Sequence, residues 1–182
     1  MKKHLRVAQA RRDIRREARV LLAHPWGWIA SGFGGGFSPW APGTVGSAVA
    51  LGLFAFSGAL TWPWWLHLAI VTTAFAIGVL ASDWTCRALA TDDASAIVMD
   101  EWVGQWLTLA AGAAFWPIAS ESMLAAFYAC GFVLFRIADI LKPWPANLAD
   151  RSLHGGFGAM FDDLLAAVYS ALALAFIGWA IA

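Results

Sequence analysis

Charge is what this chain has least of. Of its 182 residues only 13% are Asp, Glu, Lys or Arg, while 60% are hydrophobic, against about 45–50% in an ordinary soluble domain. So little charge excludes intrinsic disorder and a charged coiled coil. Two cysteines are too few for a disulfide scaffold, and Cys86 and Cys130 are not expected to pair, the second lying inside an apolar run. No Cys/His set has zinc spacing. The glycine runs have neither the spacing nor the lysine of a nucleotide-binding loop. Cys130 and Arg136 do share the Cys-x5-Arg spacing of a phosphatase loop. The intervening Gly-Phe-Val-Leu-Phe is apolar and helical in pattern, however, and reads better with Cys130 as a buried structural residue.

The formal net charge is zero, but the charges are segregated. Lys2, Lys3, Arg6, Arg11, Arg12, Arg15, Arg16 and Arg19 crowd the first nineteen positions, and from residue 20 onward acids outnumber bases ten to four. Basic residues confined to one end, without interleaved aromatics, argue against nucleic-acid binding. Residues 1–24 are expected to form a basic amphipathic segment on the membrane surface, not a cleavable signal.

What is abundant is apolar sequence. Val20–Ser82 carries no Asp, Glu, Lys or Arg, and neither do Trp102–Ser120, Ser122–Phe135 and Leu164–Ala182. A helix needs about 20 apolar residues to cross the hydrocarbon. Five candidate spans follow, near 45–60, 64–81, 102–119, 122–140 and 164–182. The expected fold is therefore an all-α, multi-span membrane protein with about five transmembrane or re-entrant helices over residues 25–182. Arg87, Arg136, Lys142 and Arg151 fall on the same side as the basic N-terminus, which places that side in the cytoplasm. The tryptophans divide into an inner and an outer belt on the same scheme.

With that parity the remaining polar residues gather on the cytoplasmic face in three groups. The first is the loop Ser31–Ser47, with six glycines and two prolines, which cannot form a regular helix throughout and allows close backbone approach to an anion. The second runs from Asp92 and Asp93 to Asp100, Glu101 and Gln105, its acids at the mouth of a span. Carboxylates so close repel unless a cation or proton joins them. The third holds Arg136, Asp139, Lys142, Asp150, Arg151, His154, Gly155, Gly156, Gly158, Asp162 and Asp163. Oxygen ligands beside glycine loops and cations form the composition of a Mg²⁺ site handling a phosphate. Intramembrane acids also suit a small cation or proton transporter, and a Mg²⁺-dependent lipid phosphotransferase shares these ingredients. A non-enzymatic scaffold would not need so many acids on one face.

Taken in order, Gly34–Ser47 with Pro42-Gly-Thr-Val-Gly-Ser47, then Asp93 to Gln105, then Arg136, Asp139, Lys142-Pro-Trp-Pro145, Asp150-Arg151, His154-Gly-Gly156 and Asp162-Asp163, the motifs resemble the phosphatidylglycerophosphatase A family of bacterial membrane lipid phosphatases. The resemblance covers about residues 25–180; the basic N-terminus lies outside it. It implies Mg²⁺-dependent removal of the terminal phosphate of phosphatidylglycerophosphate at the cytoplasmic face of the inner membrane. On that reading Asp93, Asp100, Glu101, Asp139, Asp162 and Asp163 supply metal ligands, and one of the acids serves instead as general base. Arg136, Lys142 and Arg151 neutralise phosphoryl oxygens, and His154 or a protonated acid assists the leaving group. Gly34, Gly36, Ser38, Gly43, Thr44, Gly155 and Gly156 approach the phosphate. Oligomeric state is left open.

Overall fold

The computed structural model describes residues 13–91 and 94–182. Among the described residues every regular element is a helix, and there is no strand. Residues 13–21 form α1. The helices α2 (Pro25–Ala30), α3 (Pro42–Phe56), α4 (Trp64–Leu89), α5 (Met99–Ala113), α6 (Glu121–Leu141), α7 (Ala146–Ser152) and α8 (Gly155–Ile181) follow. Short 3-10 turns lie at Gly35–Phe37 and Ala59–Thr61.

Three helices, α4, α6 and α8, are long and apolar enough to cross a membrane, at roughly 30–40 Å each by a rise of 1.5 Å per residue. The protein is a membrane protein on this ground. Two of the five expected spans are shorter. α3 starts at Pro42, whose fixed φ suits a first helical turn, and ends at Phe56. α5 stops at Ala113, ahead of Pro117. Each has 15 residues, about 22 Å. The three long helices extend beyond the apolar windows where the sequence supports a further turn. At the end of α4, Asp83 and Arg87 pair at 2.8 Å one turn apart. α8 begins nine residues ahead of the expected position, at Gly155. Of the expected surface helix at the N-terminus, residues 1–12 lie outside the described residues.

α5 sits at the centre, packed against α8, α3, α4 and α6. Close approach is possible because α5 presents glycine where its neighbours press in. A Cβ on Gly104 would lie 2.5 Å from the Phe135 ring, and one on Gly112 would lie 2.4 Å from Leu174. Helix interfaces in lipid rely on small residues in this way, since apolar burial alone does not favour one helix contact over lipid. One end of the bundle is closed by Phe54, Leu109, Trp116, Phe127 and Leu174. There Trp106 Nε1 donates to His67 Nδ1 at 3.2 Å, and Trp116 Nε1 donates to the Met123 carbonyl at 3.2 Å, so both indole N–H groups are satisfied.

Chain direction places the polar residues at the opposite end. α3, α5 and α8 start there, while α4 and α6 finish there. One contact that fixes this end is Gly156, whose added Cβ would meet the Val79 carbonyl oxygen at 2.1 Å and the Asp83 amide at 2.4 Å. Backbone cannot move aside as a flexible side chain can. Gly156→Val is expected to separate α8 from α4 and destabilise the fold by about 1–3 kcal/mol or more. Gly52→Ala, with nothing within 4 Å of its Cβ position, is expected to leave stability unchanged or slightly higher. Thermal melting of the two purified variants checks the contrast.

Candidate active site

At that polar end a cavity of about 490 Å³ opens between the starts of α3, α5 and α8 and the end of α6; its walls include Gly43, Asp100, Glu101, Asp139, Lys142 and Asp163. Asp100 and Glu101 occupy the first turn of α5, where the helix dipole favours negative charge. Asp162 and Asp163 lie two turns into α8 and are buried.

Asp100, Glu101 and Asp163 each bring a carboxylate oxygen within 4.8 Å of the other two. Glu101 Oε2 and Asp163 Oδ2 are buried and have no hydrogen-bond partner among the described residues, as is Asp162 Oδ1. Converging oxygen-only donors of like charge, two of them with an unpartnered buried oxygen, are the set a hard divalent cation takes. The residues present therefore fit Mg²⁺. Asp100 and Glu101 precede the apolar stretch of α5. Burial raises the Asp100 carboxyl well above its ordinary range, and the neighbouring Glu101 adds to this. Glu101 is pushed up to about 7, by burial first and also by the charges of Asp163 and Asp139, against a hydrogen bond with Asp100 and the charge of Arg136.

Two cations hold the other carboxylates. Arg136, near the end of α6, pairs through Nη1 with Asp139 Oδ2 at 2.7 Å and lies 3.9 Å from Glu101 Oε1. Ser47 Oγ accepts from the same Nη1 at 3.2 Å. Lys142 caps α6 in the left-handed region, at φ 43°. Its Nζ donates to Asp150 Oδ1 at 2.5 Å and to Asp162 Oδ2. Burial by itself would lower the Lys142 ammonium, but the two carboxylates outweigh it and hold it above its ordinary value. Lys142 thus stays charged at every physiological pH.

The glycine loop splits into two parts. Its start braces the backbone instead of lining the cavity. Gly36 lies so close to the Ala96 carbonyl that a Cβ would approach it to 2.0 Å, and the Val98 amide donates to the Ala30 carbonyl at 2.9 Å. Gly34 takes φ 98° to turn the chain, and Ser38 closes a local turn through Trp40. This loop holds residues 94–98 in place ahead of Asp100. Only the end of the loop, Pro42 and Gly43, lines the cavity, with Thr44 next in the same turn. A Cβ on Gly43 would fall 2.1 Å from Glu101 Oε1 and 3.2 Å from Arg136 Nη1.

The other expected residues divide similarly. His154 lines the cavity as the residue preceding α8, with Gly158 beyond it. Gly155, at φ 69°, faces a separate small cavity beside Asp83 and Arg87, and Gly156 is packed on α4. Arg151 is exposed on α7, and neither it nor Arg136 is among the residues that line the cavity; Arg136 reaches the site through its pairs with Glu101 and Asp139. Asp93 lies outside the described residues. Ser47 and Asp150 were missed as site residues. Ser47 had no signal beyond its place in the motif, because its partner is 89 positions away. Asp150 did stand beside Arg151 in the sequence.

The phosphatidylglycerophosphatase A family model matches residues 28–178. The chain belongs to the phosphatidylglycerophosphatase A family. Phosphatidylglycerophosphatase A of Escherichia coli (strain K12) is 41% identical over 162 residues, 89% of this chain and 88% of the relative. The Haemophilus influenzae protein of the same name is 35% identical over 158 residues, 85% of this chain and 89% of its own. A Bacteroides thetaiotaomicron protein bearing the provisional name of a phosphatidylinositol-3-phosphatase is 35% identical over 160 residues, 84% of this chain and 93% of its own. No solved structure matches the chain significantly. The protein is a phosphatase, and the family match begins beyond the basic N-terminal segment. Glu101 Oε1 lies against the Cα face of Gly43, so a side chain at that position must push the carboxylate aside. Gly43→Ala is expected to displace Glu101 and lower kcat by about 100-fold or more, since a displaced catalytic geometry is costly, while circular dichroism stays that of the unaltered protein.

Proposed function

We propose that this phosphatase hydrolyses the terminal phosphate of phosphatidylglycerophosphate, giving phosphatidylglycerol and inorganic phosphate, with Mg²⁺ as cofactor. The substrate assignment rests on the two relatives named phosphatidylglycerophosphatase A. The observation that carries the chemistry is the three-carboxylate set lining a cavity at one end of the bundle, with Arg136 paired to the lining residues Glu101 and Asp139. Acids gathered at that end, instead of midway along the helices, favour hydrolysis over ion transport.

In the proposed topology all five apolar helices cross or enter the bacterial inner membrane. The polar end then faces the cytoplasm, in keeping with the Lys and Arg distribution. The lipid phosphate enters the cavity while its acyl chains remain among the helices.

Asp100, Glu101 and Asp163 would hold Mg²⁺, with Asp93, Asp139 and Asp162 as further ligands or as the general base. When bound, the ion supplies positive charge to the phosphoryl oxygens and acidifies water. Water attacks the phosphorus, and a carboxylate of the set not engaged by the ion takes its proton. The bond from phosphorus to the glycerol oxygen breaks, and that oxygen takes a proton from His154. Arg136 neutralises the phosphoryl oxygens as charge develops on them, the largest contribution electrostatics makes to such reactions. The backbone amides of Gly43 and Thr44, in the first turn of α3, add partial positive charge on the same side. Lys142, held between Asp150 and Asp162, fixes the wall opposite.

Asp100→Asn is expected to lower phosphate release by about 100-fold or more, a loss on the scale of one electrostatic stabiliser, and excess chelator should abolish it in the unaltered protein. Undiminished release in either case would exclude the metal role. The pH sign follows from Glu101. Below about 7 its protonated carboxyl competes with the cation; above it the carboxylate is free to bind. Activity at limiting Mg²⁺ is therefore expected to rise through that pH, and saturating Mg²⁺ should move the rise to lower pH, as initial rates across pH will show.

A further inference from the structure

Ser47 is fully buried at the start of α3, one turn after Gly43. Its hydroxyl donates to the Gly43 carbonyl at 2.9 Å, which leaves its oxygen free to accept. That oxygen accepts from Arg136 Nη1 at 3.2 Å, across 89 residues of sequence. Nη1 carries two hydrogens. Asp139 Oδ2, on the same helix as Arg136, is ion-paired with Nη1 at 2.7 Å; Ser47, on a different helix, accepts a hydrogen bond from it. Glu101 Oε1 lies 3.9 Å away, close enough to attract the guanidinium if it were released. Arg136 Nε is buried and has no partner among the described residues.

A planar guanidinium held at one nitrogen by one carboxylate can still pivot about that contact. A second acceptor from another helix removes the pivot. Because Ser47 is buried, water does not readily replace its hydroxyl. We propose that Ser47 is a positioning residue: it fixes the Arg136 guanidinium in the orientation that meets the substrate's phosphoryl group, and keeps it from collapsing onto Glu101. The hydroxyl also couples the cavity-lining turn of α3 to α6, so that Gly43 and Arg136 are held in one register. This inference rests on the proposed role of Arg136.

The test is steady-state phosphate release by the purified full-length protein from phosphatidylglycerophosphate in mixed micelles with Mg²⁺. Ser47→Ala is expected to lower kcat about tenfold, the scale of one hydrogen bond to a charged group, with KM changed less than about twofold. Ser47→Thr, which keeps a hydroxyl, should recover most of the loss. In an Arg136→Lys background, Ser47→Ala should cost less than about twofold more, since the group it positions is gone. A full tenfold loss in both backgrounds would overturn the proposal and assign Ser47 to the α3 turn alone. An unchanged kcat in Ser47→Ala would overturn it too. If Arg136→Lys itself retained the unaltered rate, the proposed role of Arg136 would fall, and the positioning role of Ser47 with it.

Discussion

Like charges held together at the end of an apolar bundle impose the constraint on which the rest of this structure depends. Asp100, Glu101 and Asp163 converge within 4.8 Å, and Arg136 and Lys142 pair with Asp139, Asp150 and Asp162 around them. Carboxylates in such company are costly unless protons or cations offset them. Lys142 is taken up by the flanking acids, and Arg136 is closest to Asp139, at 2.7 Å, with Glu101 at 3.9 Å. Glu101 and Asp163 each keep a buried oxygen without a partner among the described residues, and in the proposed function that residual demand is met by Mg²⁺. In that proposal the same arrangement that is costly to fold recruits the ion and, through it, the phosphate.

The scaffold exists to hold these groups at one end. α3, α5 and α8 begin there and α6 finishes there. Small residues at the crossings let the helices approach closely enough for side chains on four of them to meet. Glycine serves two distinct purposes. In Gly104, Gly112 and Gly156 it permits helix packing. In Gly43 it makes room for Glu101 and Arg136, so that the N-terminal turn of α3 lies directly on the charged cluster. The glycine-rich loop ahead of α3 braces the segment before α5 by backbone contacts, and in that way sets where Asp100 and Glu101 stand.

Much of this was legible in the sequence. Uncharged stretches announced the helices, and the basic residues on alternate loops predicted that the three polar groups share one face. The ends of α3 and α5 were not legible. α3 begins at Pro42, ahead of the expected 45, and ends at Phe56, short of 60; α5 begins at Met99, ahead of 102, and stops at Ala113, four residues before Pro117. The acids of the site could be named because ionisable residues beside an apolar span have few other reasons to be there. The division of the glycines was hidden, since a glycine that approaches an anion and one that approaches a carbonyl look alike in sequence. The contacts of Ser47 and the Lys142 bridge were hidden for a similar reason: each depends on a partner from another part of the chain. The first 12 residues, and Asp93, lie outside the described residues, so the expected surface helix and one expected ligand rest on sequence alone.

The account turns on a cation held by carboxylates from two helices. Electron paramagnetic resonance of Mn²⁺ added to the purified protein, as a probe in place of Mg²⁺, measures that directly and without reference to turnover. The account predicts a bound, broadened Mn²⁺ signal in the unaltered protein that Mg²⁺ displaces, and an affinity weakened about tenfold or more by Asp163→Asn, the scale of losing a group that supports metal binding. Binding of equal strength in Asp163→Asn, or no binding in the unaltered protein, would contradict it.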